Sequence, residues 1–412
     1  MSLRTPVVAR AQRTHRGRDR RLDIPPGVPR TTLQMAIALP IVAAVSVAVS
    51  CGRDAELVGA QPEAHGEGGA GGETRPEDAR GDASPEPASC APGGPGLTNC
   101  GAASDSCCTS LAVPGAAYYR TYDSVGPATD GGNGYTATLA ADGGPTGEAD
   151  PARVSSFRLD KYDVTVGRFR QFVAAWKGGW TPPVASGKHT HLHGGLGLAN
   201  SSGGGGYEPG WVATDDANIG PTDVNLACDP MFATWTSAAG SQENLPIDCV
   251  NWYESYAFCI WDGGFLPSEA ELEYAAAGGS QQREYPWGTV DPGSQNQYAI
   301  YGDAQGHCYW PTNTLSPCTG VSNIAPVGAA TLGAGLWGQL DLTGNMWQWN
   351  VDWYGPYSNP CVDCADSTAA SFRVVRGGTF NYLASFLLPP SRNFNYPADR
   401  YGLIGMRCAR SP

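Results

Sequence analysis

The stretch Asp341-Leu-Thr-Gly-Asn-Met-Trp-Gln-Trp-Asn-Val-Asp-Trp-Tyr354 decides the fold of this chain. Trp347, Trp349 and Trp353 alternate with polar residues, and an alternation of period two predicts a strand with one buried face. The Gly-Asn pair before the strand supplies the positive φ angles that a tight turn needs. Three indoles require a large surrounding structure, which we expect the C-terminal segment to provide.

The composition favours a loop-rich fold. The 412 residues include 55 Gly and 33 Pro, a content typical of loops rather than long helices. Twelve Trp and eighteen Tyr still supply enough bulk for a core. The net charge of −13 is divided unevenly, because residues 1–34 sum to +6 and the rest therefore to −19. An acidic body of this kind argues against nucleic acid as a partner.

The N-terminal segment resembles a bacterial lipoprotein signal. A basic stretch precedes the apolar run Met35 to Val49, which is too short for an ordinary membrane-spanning helix. Small residues and then Cys51 follow. We interpret residues 1–51 as a leader with lipid attachment at Cys51. The protein would then be exported and anchored in the cell envelope, at the outer membrane or facing the periplasm. An uncleaved anchor and ordinary secretion are the alternatives.

A polar linker is predicted between this leader and the folded part. Residues 52–106 are rich in Gly, Ala, Pro, Asp, Glu and Ser and nearly lack large apolar side chains. Such a segment cannot offset its ordering entropy, so we expect a disordered acidic tether before a domain over residues 107–412. Four cysteines near the end of the tether could be bridged in any pairing, namely Cys90, Cys100, Cys107 and Cys108.

The cysteine count supports export. Thirteen cysteines less Cys51 leave twelve, an even number that suits six disulfides outside the cytoplasm. Cys361-Val-Asp-Cys364 could suggest zinc, but a single such pair favours a disulfide. The other cysteines predicted to be bridged are Cys228, Cys249, Cys259, Cys308, Cys318 and Cys408, with Cys308 and Cys318 closing one loop.

Three helix starts and two strands can be placed. Thr165 is a predicted N-cap, and Asn251-Trp-Tyr-Glu254 and Ser268-Glu-Ala-Glu271 are predicted capping boxes. The helices that follow the two boxes are expected to end near Trp261 and Ala277. Strands are expected over residues 157–162 and 373–380, with a long irregular excursion over residues 177–246.

Five blocks then occur in an order that resembles one family. They are Phe157–Val173, Val250–Gly279, Tyr285–Gly288, Asp341–Tyr354 and Arg376–Cys408. Together they resemble the formylglycine-generating enzyme, or sulfatase-modifying factor, family from about residue 111 onward. The resemblance implies an α+β fold of low regular content, loop-rich, related to the C-type-lectin-like architecture and stapled by disulfides. One of these would join Cys259 to Cys408.

The resemblance also implies a calcium loop at the tryptophan-rich strand. Its oxygen ligands match Asp341, Gly344, Met346 and Gln348. Gln348 stands where the family usually has Glu, so Asp341 is the expected anion and a lowered affinity is expected. A turn held by hydrogen bonds of Asp341 and Asn345 is the alternative interpretation.

The chemistry of the family is not matched. Its enzymes use two cysteines, five apart, to bind copper and oxidise a substrate cysteine with oxygen, and soft thiolates suit Cu(I). Residues 377–392 contain no Cys, and the two thiol positions fall at Tyr382 and Leu387. We therefore interpret the chain as a divergent member that lacks the catalytic cysteine pair.

The cleft could bind a ligand instead. Its expected lining combines rigid aromatic area with amides and guanidinium groups, which suits adaptable contacts. The predicted contact residues are Trp347, Thr379, Asn381, Tyr382, Arg392, Asn393 and Tyr396. This composition favours a module that binds a protein or a small molecule, although Arg392 and Arg407 could be structural.

A histidine run provides the main alternative. In an extended strand the imidazoles of His189, His191 and His193 would point to one side, because the three residues recur with period two. Three His can hold a transition metal, and a divergent non-haem iron or copper oxidoreductase would follow. The Gly-rich surroundings instead favour a polar surface loop without a transition metal. Formylglycine generation by another route is a third hypothesis.

Overall fold

The computed structural model describes residues 87–122 and 148–412. The predicted leader, Cys51 and the first part of the predicted tether lie outside these residues. Helices and strands are short and are separated by long loops, as predicted. The fold is α+β and loop-rich.

The regular elements of the described residues are four helices and fourteen strands. The helices are α1 Val166–Lys177, α2 Asp223–Leu226, α3 Trp252–Trp261 and α4 Glu269–Ala277. The strands are β1 Ser110–Val113, β2 Ala116–Thr121, β3 Ala149–Val154, β4 Phe157–Asp160, β5 Ala199–Asn200, β6 His307–Cys308, β7 Ser316–Pro317, β8 Trp347–Trp353, β9 Cys361–Val362, β10 Cys364–Ala365, β11 Arg373–Arg376, β12 Arg392–Asn395, β13 Ile404–Gly405 and β14 Ala409–Arg410.

The three long helices begin where local sequence predicts. The Thr165 side chain accepts a hydrogen bond from the backbone of the first turn of α1. Asn251 with Glu254, and Ser268 with Glu271, form reciprocal capping boxes at α3 and α4. Each box satisfies two of the backbone N–H groups that a helix start leaves without partners.

Strand β8 lies in the middle of a four-stranded sheet of order β12-β11-β8-β13. It pairs antiparallel with β11 and parallel with β13. The prediction of one buried face is wrong, because both faces are covered. Gln348 and Asn350 are fully buried and Asp352 is 5% exposed. The polar positions of the alternation therefore face protein rather than water.

Internal partners explain why these polar side chains can be buried. The Asp352 carboxylate accepts hydrogen bonds from the backbone N–H groups of Glu269 (2.6 Å) and Asp366 (3.1 Å). It thereby caps the start of α4, where the helix dipole favours an anion. A period-two pattern shows only which side chains are polar. It does not show whether those side chains face water or a buried hydrogen-bond partner.

The largest apolar cluster lies between α1, α3 and β8. Phe169 and Phe172 of α1 pack on Phe258 of α3, with ring centroids 5.7 and 5.9 Å apart. The Trp349 indole of β8 enters the same cluster and donates its N–H to the Val250 carbonyl at 3.1 Å. The core thus forms around the strand that the tryptophan pattern indicates.

Six disulfides join all twelve cysteines of the described residues. The pairs are Cys90–Cys108, Cys100–Cys107, Cys228–Cys249, Cys259–Cys408, Cys308–Cys318 and Cys361–Cys364. The predicted bridges are confirmed, including the one implied by the family resemblance. The first two pairs resolve the pairing that sequence left open.

Ordered structure starts earlier than composition predicts. The predicted tether extends to residue 106, yet residues 87–106 are part of the described fold, with Cys90 and Cys100 buried. Arg168 of α1 holds this segment, donating from Nε to Ser89 Oγ (3.0 Å) and from Nη1 to the Cys107 carbonyl (3.1 Å). Composition does not reveal this boundary, because residues 87–106 are ordered by buried polar contacts and disulfides and not by the burial of many large apolar side chains.

Among the helices of residues 87–122 and 148–412, none has the length and apolar character needed to span a membrane.

Candidate functional site

A Gly-Gly turn after β11 leads into the segment to which the resemblance assigns the two thiol positions. Gly377 and Gly378 have φ angles of 104° and 75°. A Cβ on Gly378 would lie 2.8 Å from the Phe386 carbonyl oxygen, so this close approach requires glycine. The turn brings the next residues against β8, where Phe380 donates its backbone N–H to the Asn345 carbonyl at 3.1 Å.

Neither of the two positions assigned to the family's thiols carries a side chain that can bind copper as a thiolate does. Tyr382 is partly buried and packs edge-on against Trp347, with ring centroids 6.0 Å apart. Leu387 is fully buried in a small apolar cluster with Ala299 and Tyr301. Because every cysteine of the described residues is in a disulfide, this part of the chain offers no free thiolate.

An open groove lies beside Tyr382. It has a volume of about 310 Å³ and is formed by β8, β11, β12 and the segment around β13. Its walls carry aromatic, aliphatic and amide side chains and no charged side chain. They are Trp347, Val375, Tyr382, Asn393, Phe394, Asn395, Tyr401, Leu403 and Ile404. Three predicted contact residues, Trp347, Tyr382 and Asn393, are therefore brought together here.

Two other predicted contact residues are structural. Thr379 is fully buried, and its hydroxyl donates to the Asn345 carbonyl at 3.0 Å. Arg392 is buried and makes a bidentate pair with Glu269, with two N–O distances of 2.7 Å. The expectation that Thr379 and Arg392 contact a ligand is therefore wrong, because internal partners use their polar atoms.

Tyr396 and Asn381 lie outside the groove lining. Tyr396 is exposed and packs on Phe372, with ring centroids 4.5 Å apart. Asn381 lines a neighbouring hollow with Asp303, and Tyr382 borders both the hollow and the groove. The amide oxygen of Asn381 is buried without a hydrogen-bond partner in the described structure.

The predicted calcium turn is held by internal hydrogen bonds. Gln348 donates from Nε2 to the Asp341 carbonyl (2.8 Å) and accepts from Arg407 at Oε1 (3.1 Å). Asp341 accepts the Gly328 N–H at Oδ2, at 2.7 Å. Burial raises the Asp341 pKa to about 6, although Arg407 opposes this. These contacts and the nearby guanidinium do not fit a calcium ion, so they favour the alternative of a hydrogen-bonded turn.

The histidine run does not form one metal-binding face. Residues 189–193 lie in a turn rather than in the extended strand that one metal-binding face would require, and His193 has a φ of 46°. His193 Nδ1 lies 2.8 Å from the Gly197 carbonyl. His189 is fully buried, with its two ring nitrogens 3.0 Å from Glu208 and Glu271 carboxylates.

The middle histidine, His191, is held by a third set of contacts. Its ring stacks on Phe265, with centroids 5.7 Å apart, and its Nδ1 lies 3.4 Å from Ser411 Oγ. Burial lowers its pKa. Within the described residues, no group of three or more His, Cys, Asp or Glu side chains is placed to hold a metal ion. The alternative in which His189, His191 and His193 share one metal is therefore not supported, because the ring nitrogens of His189 and Nδ1 of His193 already have separate internal partners.

His189 instead joins a loop to α4 through charge, which predicts a pH dependence of stability. Burial lowers its pKa, but the carboxylates of Glu271 and Glu208 outweigh burial and raise it to about 10. Because the pKa of His189 in the folded state lies above its unfolded value of about 6.5, protonated His189 stabilises the fold. This contribution is fully present below pH 6.5 and is lost as the pH rises towards 10. We expect the free energy of unfolding to fall between pH 7 and 10.

Denaturant unfolding at a series of pH values measures this fall. The matched control is His189→Gln, which removes the titrating group and should flatten the slope in that window. Equal slopes for the wild type and the variant would contradict the assignment.

Sequence reasoning missed Arg373, the first residue of β11. Its guanidinium carbon lies 3.6 Å from the ring centroids of both Trp252 and Trp353. The three residues are far apart in the chain, and their approach depends on the pairing of β8 with β11 and on the packing of α3. No local pattern singles out this arginine.

Comparison with known proteins identifies the class of this loop-rich, disulfide-rich domain. Residues 121–412 match the family described as "Sulfatase-modifying factor enzyme 1-like domain". The formylglycine-generating enzyme of Streptomyces coelicolor is 30% identical over 278 residues, covering 62% of this chain and 79% of that protein. The chain therefore belongs to the sulfatase-modifying factor, or formylglycine-generating enzyme, family.

Relatives whose names indicate another activity, or none, also align. Hercynine oxygenase of Mycobacterium tuberculosis is 32% identical over 178 residues, covering 40% of this chain and 36% of that protein. The protein of Mus musculus named "Inactive C-alpha-formylglycine-generating enzyme 2" is 31% identical over 186 residues, covering 43% of this chain and 55% of that protein. Family membership alone thus does not define one reaction.

Proposed function

We propose that this protein is an exported lipoprotein that displays a sulfatase-modifying-factor domain as a ligand-binding module without formylglycine-generating activity. One observation carries the proposal. The family resemblance assigns the two thiol positions to Tyr382 and Leu387, and all twelve cysteines of the described residues are in disulfides. A phenol and an isobutyl group do not provide the soft ligands that Cu(I) requires. The mouse relative named as inactive supports a domain of this family without the activity.

The groove beside Tyr382 suits an uncharged ligand. Its aromatic rings offer apolar faces, and the amides of Asn393 and Asn395 offer hydrogen-bond donors and acceptors. A charged ligand would lose water there without gaining an opposite charge. The ligand would combine apolar faces with neutral hydrogen-bonding groups, as oligosaccharides and uncharged peptide segments do.

Binding to arrays of neutral oligosaccharides and uncharged peptides tests this function. Probes that bind the wild type should lose about tenfold or more in affinity with Tyr382→Ala, because aromatic residues in binding sites commonly carry such energies. Tyr396→Ala is the matched control, since Tyr396 is an exposed tyrosine outside the groove lining, and it should bind as the wild type does. The binding proposal fails if no probe shows dependence on Tyr382.

Export and lipid attachment at Cys51 belong to the same proposal. Six disulfides among the described residues support an oxidising compartment. Cys51 lies outside those residues, and its modification is a prediction from sequence. Cell fractionation should place the wild type in the membrane fraction and the Cys51→Ser variant elsewhere. Membrane association that persists in Cys51→Ser would favour an uncleaved apolar anchor.

A divergent metal-dependent oxidoreductase is the second candidate, and the hercynine oxygenase relatives favour it. It needs a tightly held transition metal. Elemental analysis of the purified full chain separates the two functions. A binding module should carry no stoichiometric iron, copper or zinc, and calcium in the same analysis would reverse our interpretation of the turn at Gln348. Stoichiometric iron or copper would favour the oxidoreductase.

A further inference from the structure

A second cavity shares no lining residue with the groove. Its volume is about 230 Å³, and it lies between α3, β8, β11 and the loop near residue 215. Four aromatic side chains, one cation and one carboxylate dominate its walls. They are Trp252, Tyr253, Tyr256, Trp353, Arg373 and Asp215.

Arg373 is a buried cation that lacks an anionic partner. Only 9% of the residue is exposed, and both faces of its guanidinium are covered by the Trp252 and Trp353 indoles. Nη1 donates to the Val351 carbonyl, whereas Nε is buried without a hydrogen-bond partner. Among residues 87–122 and 148–412, no carboxylate lies within 4.0 Å of this guanidinium.

Four other buried arginines of the described residues pair with carboxylates, whereas a fifth, Arg120, donates to the Asp150 and Ser358 carbonyls and to Asn359 Oδ1. Arg168, Arg376, Arg392 and Arg407 each contact at least one carboxylate at 3.0 Å or less. Cation–π contacts offset part of the cost of burying Arg373. Burial still dominates its environment and lowers its pKa to about 9. The unused donors at the edge of the guanidinium therefore suit an anion supplied from outside.

Asp215 supplies the opposite charge in the same cavity. It is partly exposed, and within the described part of the chain its carboxylate has no hydrogen-bond or ion-pair partner. Glu208 also lines the cavity, but its charge is used by His189. The cavity thus holds one unpaired cation and one unpaired anion, more than 4.0 Å apart, between aromatic walls.

We propose that this cavity binds a free α-amino acid with a large apolar side chain. The ligand carboxylate would pair with the Arg373 guanidinium edge, and its ammonium group with Asp215. Its side chain would pack against Tyr253 and Tyr256. Each charged group of the ligand then meets an opposite charge, and the aromatic walls bury its apolar body. No residue of the Tyr382 groove lines this cavity.

Isothermal titration of the full chain with four probes tests the site. L-Phenylalanine and L-leucine carry both charges, 3-phenylpropanoate only the carboxylate, and phenethylamine only the ammonium group. At least one amino acid should bind about tenfold more tightly than either singly charged probe. If none of the four binds, or if the singly charged probes bind as tightly as the amino acids, the proposal is overturned.

Two variants assign the charges. Asp215→Asn should weaken amino-acid binding about tenfold without weakening the binding of 3-phenylpropanoate, a pattern that a general loss of folding would not produce. Arg373→Gln should abolish the binding of the amino acids and of 3-phenylpropanoate. Because Arg373 is buried, Asp215→Asn decides the outcome if Arg373→Gln does not fold. Unchanged amino-acid affinity in Asp215→Asn would refute the assignment. Tyr382→Ala should leave this binding intact, so failure here is distinguishable from failure of the proposed groove function.

Discussion

Replacing Arg168 with methionine is expected to lower the free energy of unfolding by about 3 to 5 kcal/mol. Arg168 pairs with Asp160 at 2.9 Å and with Asp262 at 2.5 Å, and all three side chains are fully buried. The variant leaves two buried carboxylates with fewer partners and removes the hydrogen bonds to residues 87–108. Arg410 also contacts both carboxylates but is partly exposed, and its geometry does not replace the lost bonds to Ser89.

Unfolding in guanidinium chloride, followed by tryptophan fluorescence, measures this loss in the free energy of unfolding. Lys161→Met is the matched control, because the Lys161 and Asp105 side chains are 22% and 31% exposed. An exposed pair of this kind contributes about 1 kcal/mol or less. A loss in Arg168→Met no larger than in Lys161→Met would contradict the role assigned to this buried cluster.

Removing the Cys259–Cys408 disulfide is expected to cost about 5 kcal/mol, the second large effect. The bridge joins residues separated by 149 positions and ties α3 to the C-terminal segment. Cutting it restores the entropy of a long loop in the unfolded chain. The double variant Cys259→Ala, Cys408→Ala keeps both buried positions apolar, so the change reports mainly the lost cross-link.

The Cys308–Cys318 bridge provides the control for loop length. It spans 10 positions, so the same treatment predicts a loss of about 3 kcal/mol for Cys308→Ala, Cys318→Ala. Thermal and denaturant unfolding of both double variants under non-reducing conditions gives the comparison. A loss in the long-loop variant equal to or below that in the short-loop variant would refute the entropic explanation.

Much of the scaffold could be predicted from sequence because its signals are local. Asn251 with Glu254, and Ser268 with Glu271, specify helix starts within four residues. The tryptophan alternation identified β8 correctly. The alternation did not reveal that the polar face of the strand is also buried, because the partners of Gln348 and Asp352 lie on elements distant in sequence. The order of residues 87–106 was missed for the same reason, since it depends on Arg168 and on disulfides.

The candidate sites were only partly predictable. Trp347, Tyr382 and Asn393 were expected at the cleft, and the pairing of β8, β11 and β12 brings them together. The arrangement of the histidine run depends on its backbone, since period two places the side chains on one side only in an extended strand and residues 189–193 form a turn. The cavity at Arg373 depends entirely on tertiary packing, and its evidence is the absence of a partner carboxylate, which a sequence does not display.

We propose that this domain keeps the family's fold without its thiol-dependent oxidation. Aldehyde formation on a sulfatase-type Cys-x-Pro-x-Arg peptide tests it most directly, with the full chain, copper and oxygen supplied. An active bacterial enzyme of the family serves as the positive control, and hydrazide trapping with mass spectrometry provides the readout. We predict no aldehyde above the protein-free background. Aldehyde that accumulates with time and in proportion to protein concentration would contradict the account.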